Sequence, residues 1–312
     1  MAEASRATGP RRFALGDAAY RRALQLAGLL VFGIFLAVGV SLFLQAWPAF
    51  QHSGISFITG STWDPNSATY GALPFIVGTL LTSVIALIIA VPVGIGAAIF
   101  LSEYAPRSIS TVLGALVELL AAVPSVVYGL WGLLVLAPWF ASTIEPRMTW
   151  LPFAHGPTLG VGLFLASVIL ATMVLPTIVA ITRDLMNAVQ PSAREAVLGL
   201  GGTRWQVVRH AIIPTVRTGM IGGVVLALGR ALGETMAVTF VIGNSNVIPH
   251  SLLGPTQTLA SLIANEFTEA TEPFHAASLI AAAVLLLAIA VLVNVAARAL
   301  VWSVSREVSE LV

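Results

Sequence analysis

The stretch Pro191–Pro214, PSAREAVLGLGGTRWQVVRHAIIP, separates two long apolar segments and predicts two short capped helices. Ser192 followed by Glu195 is the pattern of a capping box, in which the Ser oxygen accepts a free amide and the Glu reaches back to the cap residue. Thr203 followed by Gln206 repeats that pattern. We therefore predict a helix, a turn and a second helix outside the membrane.

The residues between and after these helices support that prediction. Gly199, Gly201 and Gly202 allow the positive φ angles of a tight turn, and Pro214 suits the first turn of the helix that follows. A rigid projection of this kind would let a soluble partner exert force on the membrane segments.

The composition places the rest of the chain in a membrane. The 312 residues are 57% hydrophobic and 9% charged, with a mean hydropathy of +0.94, which is typical of polytopic membrane proteins. The net charge of +1 and the scattered Arg residues argue against nucleic-acid binding. The absence of Cys excludes disulfides, thiolate metal sites and cysteine nucleophiles.

A membrane-spanning helix needs about 20 mainly apolar residues. Six segments of the chain meet that requirement, so we predict an all-α integral membrane protein with six transmembrane helices. The segments are Ala23–Trp47, Leu73–Leu101, Thr111–Phe140, Thr158–Thr182, Val216–Ile242 and Ala276–Leu300.

Six spans put both termini on one side of the membrane, and the Arg distribution indicates which side. The terminal segments and the loops on their side hold most of the Arg residues, whereas Arg147 alone falls opposite. By the positive-inside rule both termini and the stretch Pro191–Pro214 are cytoplasmic. The predicted outer loop 243–275 contains Glu266, Glu269 and Glu272 and no Arg or Lys, which agrees with this orientation.

Prolines and glycines distinguish the middle spans from the outer ones. Spans two to four contain Pro74, Pro92, Pro124 and Pro176, and span five contains a series of glycines. Interrupted backbone at membrane depth needs protein or a water-filled cavity to satisfy its polar groups, so spans two to five are expected to form an inner wall. The alternative is that proline is simply common in membrane helices.

Span five carries the clearest candidate site. Arg230 falls near its middle and Glu234 one helical turn later on the same face. Charges at that depth usually face a pathway or each other. Arg230 would offer forked donors to an oxyanion while Glu234 holds the guanidinium, or else the two form an ion pair that orients the helix. Gly229 and Gly233 add a Gly-x-x-x-Gly pattern that permits close helix approach, with Gly222 on the same stripe.

Two residues of span three are further candidates for the pathway. Glu118 takes part in gating, or else it hydrogen-bonds a neighbouring helix or lies by the inner headgroups. Ser125, directly after Pro124, would line a cavity through its hydroxyl.

The stretch EAVLGLGGTRWQVVRHAIIP resembles the coupling loop of ATP-binding-cassette (ABC) importer permeases. The family pattern is Glu-Ala-Ala, three residues, Gly, nine residues, then Ile-x-Leu-Pro. Val197, Ala211 and Ile213 depart from it, each by an exchange among small and apolar residues. The positions that match it in register are Glu195, Ala196, Gly201 and Pro214.

Three further stretches are similar to the phosphate-specific branch of these importers, in particular to permeases of the PstC type. They are WDPNSATYGALPFIVGTLLTS, ELLAAVPSVVYGLWG and GRALGETMAV, and the similarity covers roughly residues 60 to 300. The assignment to this branch implies a type I ABC importer (MetI-like) permease with cytoplasmic coupling helices.

The resemblance also implies a layout and a set of partners. The layout is a cytoplasmic tail over 1–22, a first helix over 23–47, an extracytoplasmic loop over 48–72, a permease core over 73–300 with the coupling loop at 183–214, and a cytoplasmic tail over 301–312. The expected partners are a PstA-type sister permease, a PstB-type ATPase dimer, a PstS-type phosphate-binding protein, phosphate and membrane lipid. ATP and Mg²⁺ would be used by the ATPase, since this chain has no Lys and therefore no Gly-x-x-x-x-Gly-Lys-Ser/Thr loop.

Other classes of function remain open at this point. A secondary phosphate carrier could use the same Arg230, although carriers usually have internal repeats and this chain has none that we detect. A permease for another oxyanion, or a structural or sensory subunit, is also compatible with the composition. An intramembrane enzyme is disfavoured because no His falls within a predicted span. His52, His155, His250 and His275 in outer loops and His210 in the coupling loop are expected to be solvated or to face lipid headgroups.

Overall fold

A computed structural model of the chain describes residues 10–148, 150, 153–154 and 158–309. Six of its helices are long and apolar enough to cross a membrane, which confirms the predicted fold class. These spans are Tyr20–Ser53, Leu73–Tyr104, Ser125–Met148, Leu163–Asn187, Arg204–Gly233 and Pro273–Ala299. Of the predicted tails 1–22 and 301–312, residues 1–9 and 310–312 lie outside the described residues.

The described elements comprise fourteen α-helices, four π-helical turns and one two-stranded hairpin. The helices are α1 (Pro10–Ser53), α2 (Ser56–Thr59), α3 (Leu73–Ile99), α4 (Arg107–Ala122), α5 (Ser125–Trp131), α6 (Ala137–Trp139), α7 (Glu145–Met148), α8 (Leu163–Asn187), α9 (Pro191–Gly199), α10 (Arg204–Val207), α11 (Ile213–Gly233), α12 (Met236–Val241), α13 (Leu259–Glu266) and α14 (Pro273–Ser309). The π-helical turns are Phe100–Tyr104, Gly132–Leu136, Phe140–Ile144 and Val208–Ile212, and the antiparallel strands are β1 (Trp63–Asp64) and β2 (Thr69–Tyr70).

Helix α8 is the centre of the fold. In its most apolar stretch 61% of the residues are buried, against none in that of α1. The main core joins α8 to α3, α5, α11 and α12 through side chains such as Ile169, Leu170 and Val174. Helix α1 packs with α14 at its outer end, through Ala46 and Ala49. The spans predicted to form the inner wall therefore do pack together, while the cavity stays a prediction.

The prediction that the third span is a single helix over Thr111–Phe140 was wrong. It is divided into α4 and α5 at Val123 and Pro124, both of which have extended backbone. Proline lacks an amide donor and disfavours helical backbone in the residue before it, so the helix stops there. Helix α4 lies against the inner end of α8, where Gly114 leaves room for the guanidinium of Arg183 and the hydroxyl of Ser110 bonds it.

The fifth span is continuous with the coupling loop at its N-terminal end. At its C-terminal end it stops earlier than predicted. Helix α10, one π-helical turn and α11 run without interruption from Arg204 to Gly233. Glu234 is then extended, and α12 begins at Met236. The predicted span Val216–Ile242 is therefore two helices with a break at Glu234 and Thr235.

On the predicted outer side, the segments expected to be simple loops are structured. In residues 48–72 the β1–β2 hairpin packs Trp63 and Tyr70 against α14, and in residues 243–275 α13 packs on α3. The backbone of Gln257 passes so close to Gly78 that a Cβ on Gly78 would lie 2.2 Å from the carbonyl oxygen of Gln257. Thr79 Oγ1 accepts the amide of Leu259 at 3.0 Å.

His275 was expected to be solvated, and that expectation was wrong. The residue is buried, its Nε2 lies 3.0 Å from the carboxylate of Glu266, and its ring stacks on Tyr70 at 5.7 Å. Glu266 also accepts the indole N–H of Trp63 at 2.8 Å. Burial raises the pKa of Tyr70, and the carboxylates of Glu272, Glu266 and Asp64 raise it further.

Candidate translocation and coupling site

The first predicted helix cap of the coupling loop is absent. Helix α9 begins at Pro191, its N-cap residue is Gln190, and that residue makes no side-chain cap bond. Ser192 therefore lies inside the first turn rather than at the cap, and Glu195 cannot reach back to it as N3. The physical reason is Pro191, whose fixed φ suits the first helical position, so the helix starts two residues earlier than the predicted cap at Ser192 implies.

The second predicted cap is present. Thr203 Oγ1 accepts the amide of Gln206 at 3.3 Å, and Gln206 Oε1 accepts the amide of Thr203 at 2.7 Å. The turn before it needs glycine twice: Gly201 has φ +82°, and a Cβ on Gly202 would lie 2.7 Å from Val197. Pro214 occupies the first turn of α11, as predicted.

Helix α9 projects from the protein. No residue in it is buried, Glu195 and Ala196 are exposed, and Leu200 just after it is 92% exposed. Its uncovered surface contains small and apolar residues, and exposed apolar surface of this kind is typical of protein-interaction sites.

Arg230 and Glu234 do not share a helix face. Arg230 lies in the last turn of α11 and is exposed in the isolated chain, whereas Glu234 follows the helix in extended backbone. The carboxylate of Glu234 instead accepts the amide of Ala237 at 3.4 Å, at the start of α12. The ion pairs formed among the described residues involve Arg194 with Glu103 and His275 with Glu266, so the predicted Arg230–Glu234 pair is not formed.

The glycines of α11 are used differently from the prediction. Gly222 and Gly233 have no neighbouring atoms within 4 Å of a Cβ position. Close approach is made on another side, where Gly223 lies against Ile181 of α8, while Gly229 lies under Asn294 of α14. The exposed residues Leu226, Arg230 and Gly233 near the C-terminal end of α11 form a surface that the rest of the described chain leaves uncovered, which we call the open face of α11.

The other two pathway candidates lie on either side of the α4–α5 break. Glu118 is exposed on α4, and Ser125 is the partly buried first residue of α5. Tyr128 connects the two helices, because its hydroxyl donates to the carbonyl of Leu120 at 2.9 Å. Gly129 of α5 lies against Ala237 and Phe240 of α12, so the breaks in the third and fifth spans lie near each other.

Three charged residues with defined partners were missed from the sequence. Arg194 bonds Glu103, Arg183 bonds Ser110, and the buried Glu145 accepts the amide of Gly160. Their partners are far along the chain or depend on a loop conformation, so helical spacing could not reveal them.

This architecture, six apolar helices with two broken spans and an exposed helical projection, defines an integral-membrane transport component. Chains of similar fold occur in a bacterial alginate ABC transporter complexed with an alginate pentasaccharide-bound periplasmic protein (TM-score 0.61, 16% identity, 91% of this chain and 94% of that one). They also occur in the inward-facing MetNI methionine ABC transporter (TM-score 0.51, 17% identity, 73% and 93%).

Sequence comparison gives the family. The profile of the binding-protein-dependent transport system inner membrane component matches residues 90–306. The phosphate transport system permease protein PstC of Mesorhizobium japonicum is 45% identical over 94% of this chain and 92% of its own length. PstC of Haemophilus influenzae is 45% identical over 81% and 83%. The chain belongs to the binding-protein-dependent inner membrane component family and, within it, to the PstC-type permeases, which confirms the resemblance inferred from the sequence.

Proposed function

We propose that this chain is the permease subunit of an ATP-driven importer of inorganic phosphate and forms half of its translocation pathway. The observation that carries the proposal is the exposed helix α9, joined by one capped turn to a helix that runs uninterrupted into the membrane to Gly233. The phosphate specificity is supported by the names of the PstC relatives.

The partners follow from the same family membership. A PstA-type sister permease would complete the pathway, a PstB-type ATPase dimer would bind α9, and a PstS-type protein would deliver phosphate from outside. ATP and Mg²⁺ act at the ATPase, because this chain has no Lys with which to form a phosphate-binding P-loop. The termini and α9 are cytoplasmic on the positive-inside distribution of Arg.

In this mechanism the ATPase moves α9 through Glu195 and Ala196, both exposed on its surface. The turn at Gly201 and the capped α10 transmit that movement into α11, whose first turn contains Pro214. Movement of α11 carries Arg230 at its other end. A continuous helix suits this role because its backbone hydrogen bonds make it stiff along its axis.

Phosphate would meet the open face of α11 during transit. Arg230 has no ion-pair partner among the described residues, so its fork can bind two oxygens of the anion. Glu234 contributes an acceptor for a protonated phosphate oxygen, and Ser125 and Glu118 line the facing break between α4 and α5. A hydrogen-bond acceptor would favour protonated phosphate over sulfate.

The proposal is tested by uptake of labelled phosphate into proteoliposomes that contain the purified complex and its binding protein. ATP is supplied or withheld on the ATPase side, with an ion gradient as the alternative energy source. Uptake that requires ATP and resists an equal concentration of sulfate supports the importer. Uptake driven by a gradient alone, or abolished by sulfate, contradicts it.

A further inference from the structure

The side chain of Arg194 joins the exposed helix α9 to the ends of two membrane spans. Its Nη1 donates to the carbonyl of Val189 at 2.7 Å. Its Nη2 donates to the carbonyl of Met186 at 2.7 Å and to Oε1 of Glu103 at 3.0 Å. One guanidinium therefore has three acceptors, each at hydrogen-bond distance.

Two of these acceptors belong to the end of the fourth span. Met186 lies in the last turn of α8, where its carbonyl also accepts the amide of Val189 at 3.2 Å, and Val189 itself follows the helix. A cation at the C-terminus of a helix is also favoured by the helix dipole. Arg194 thus fixes α9 to α8 by charge as well as by hydrogen bonds.

The third acceptor belongs to the second span. Glu103 lies in the π-helical turn that ends α3, and its side chain is 13% exposed. The hydroxyl of Ser102 beside it lies within hydrogen-bond distance of both Oε1 of Glu103, at 3.1 Å, and Oδ1 of Asn187 of α8, at 3.2 Å. The inner ends of spans two and four and the helix α9 therefore meet in one polar cluster.

The apolar contacts of α9 are limited by comparison. No residue of α9 is buried, and only Ala193 and Val197 pack, partly buried, against the cluster around Met186 and Val207. A short helix held by two small apolar side chains would move independently of the spans unless a directional contact fixed it.

We propose that Arg194 is the positioning residue that makes α9 move as one body with the inner ends of spans two and four. This inference rests on the proposed function, in which α9 takes force from an ATPase. It adds a second route for that force: α10 and α11 carry it into span five, and Arg194 carries it through Glu103 and Met186 into spans two and four.

The test measures rigidity directly. Because the chain contains no Cys, spin labels on Tyr104→Cys and Ser192→Cys are the only labelled sites in this subunit. In the purified complex the distance between the labels is measured without nucleotide and with ATP trapped. We expect one narrow distribution in both states for the parent, and a distribution at least about twofold broader, shifting with ATP, for Arg194→Gln.

Three variants serve as controls for charge, geometry and assembly. Arg194→Lys keeps the charge without the fork and is expected to restore most of the rigidity. Glu103→Gln is expected to broaden the distribution less than Arg194→Gln, since the two carbonyl contacts remain. Arg107→Gln, at an exposed Arg on α4, is expected to match the parent.

Transport gives a second readout. Phosphate moved per ATP hydrolysed is expected to fall about tenfold in Arg194→Gln. An unchanged distance distribution in Arg194→Gln overturns the proposal, as does a complex in which Arg194→Gln only prevents assembly while Arg194→Lys and Glu103→Gln behave as the parent. The distance between the labels does not depend on the transported molecule. A complex that moves no phosphate but keeps the Arg194-dependent rigidity would therefore contradict the proposed function and not the role of Arg194.

Discussion

Both carboxylate oxygens of Glu145 accept the backbone amide of Gly160, each at 3.1 Å. This contact fastens the outer end of the third span to the chain that leads into α8. Gly160 has φ +74°, and a Cβ there would lie 2.1 Å from the carbonyl oxygen of Ala137. The fold therefore requires glycine at 160 for two separate reasons, backbone conformation and space.

Gly160→Ala is expected to destabilise the protein strongly. Left-handed backbone costs about 1–2 kcal/mol for a residue with a Cβ, and the contact with Ala137 adds to that cost. The matched control is Gly54→Ala, because Gly54 has φ +54° but no atom within 4 Å of its Cβ position. Thermal unfolding in detergent should show a larger fall in Tm for Gly160→Ala. Equal falls in Tm for the two variants would show that backbone strain alone, without the contact with Ala137, causes the destabilisation.

Replacement by Ala is expected to change helix stability differently at Thr203 and at Ser192 of the coupling loop. Thr203→Ala removes a cap bond and should destabilise α10 by about 1 kcal/mol. Ser192→Ala removes no cap bond and should stay within about 0.5 kcal/mol of the parent. Hydrogen exchange at the amides of residues 204–207 and 192–195 measures both. Faster exchange after Ser192→Ala than after Thr203→Ala would contradict the helix start at Pro191.

The Glu266 cluster is expected to hold the β1–β2 hairpin in place. Glu266→Ala leaves the indole N–H of Trp63 and the ring of His275 without their shared acceptor, at a cost of about 1–3 kcal/mol per buried donor. Glu269→Ala, at an exposed carboxylate, should have little effect. Thermal unfolding in detergent measures the loss, and identical Tm values for the two variants would refute the role of Glu266.

The sequence predicted the parts of this protein that depend on local pattern. Apolar length identified six spans, and the Thr203–Gln206 box lies where its spacing indicated. The identical Ser192–Glu195 spacing failed because Pro191 takes the first helical position. Local patterns thus predict a helix cap only when no neighbouring residue competes for the start of the helix.

The site itself was less predictable. Glu234 was placed on the face of Arg230 by assuming an uninterrupted helix, and no proline marks the break that separates them. The partners of Arg194 and Glu145 lie 91 and 15 residues away, at Glu103 and Gly160, and only tertiary packing brings them together. Contacts between residues that only the tertiary fold brings together, such as Arg194–Glu103 and Glu145–Gly160, cannot be predicted from helical periodicity.

The most direct test of the account is phosphate uptake by the reconstituted complex with Arg230→Gln, measured beside Arg107→Gln. Both changes remove one exposed Arg charge, but only Arg230 lies on the open face of α11. The account predicts that Arg230→Gln assembles with its ATPase and loses uptake at least about tenfold, the value of one charged hydrogen bond. Arg107→Gln should transport as the parent does. Unchanged uptake by Arg230→Gln would contradict the pathway assigned to this chain.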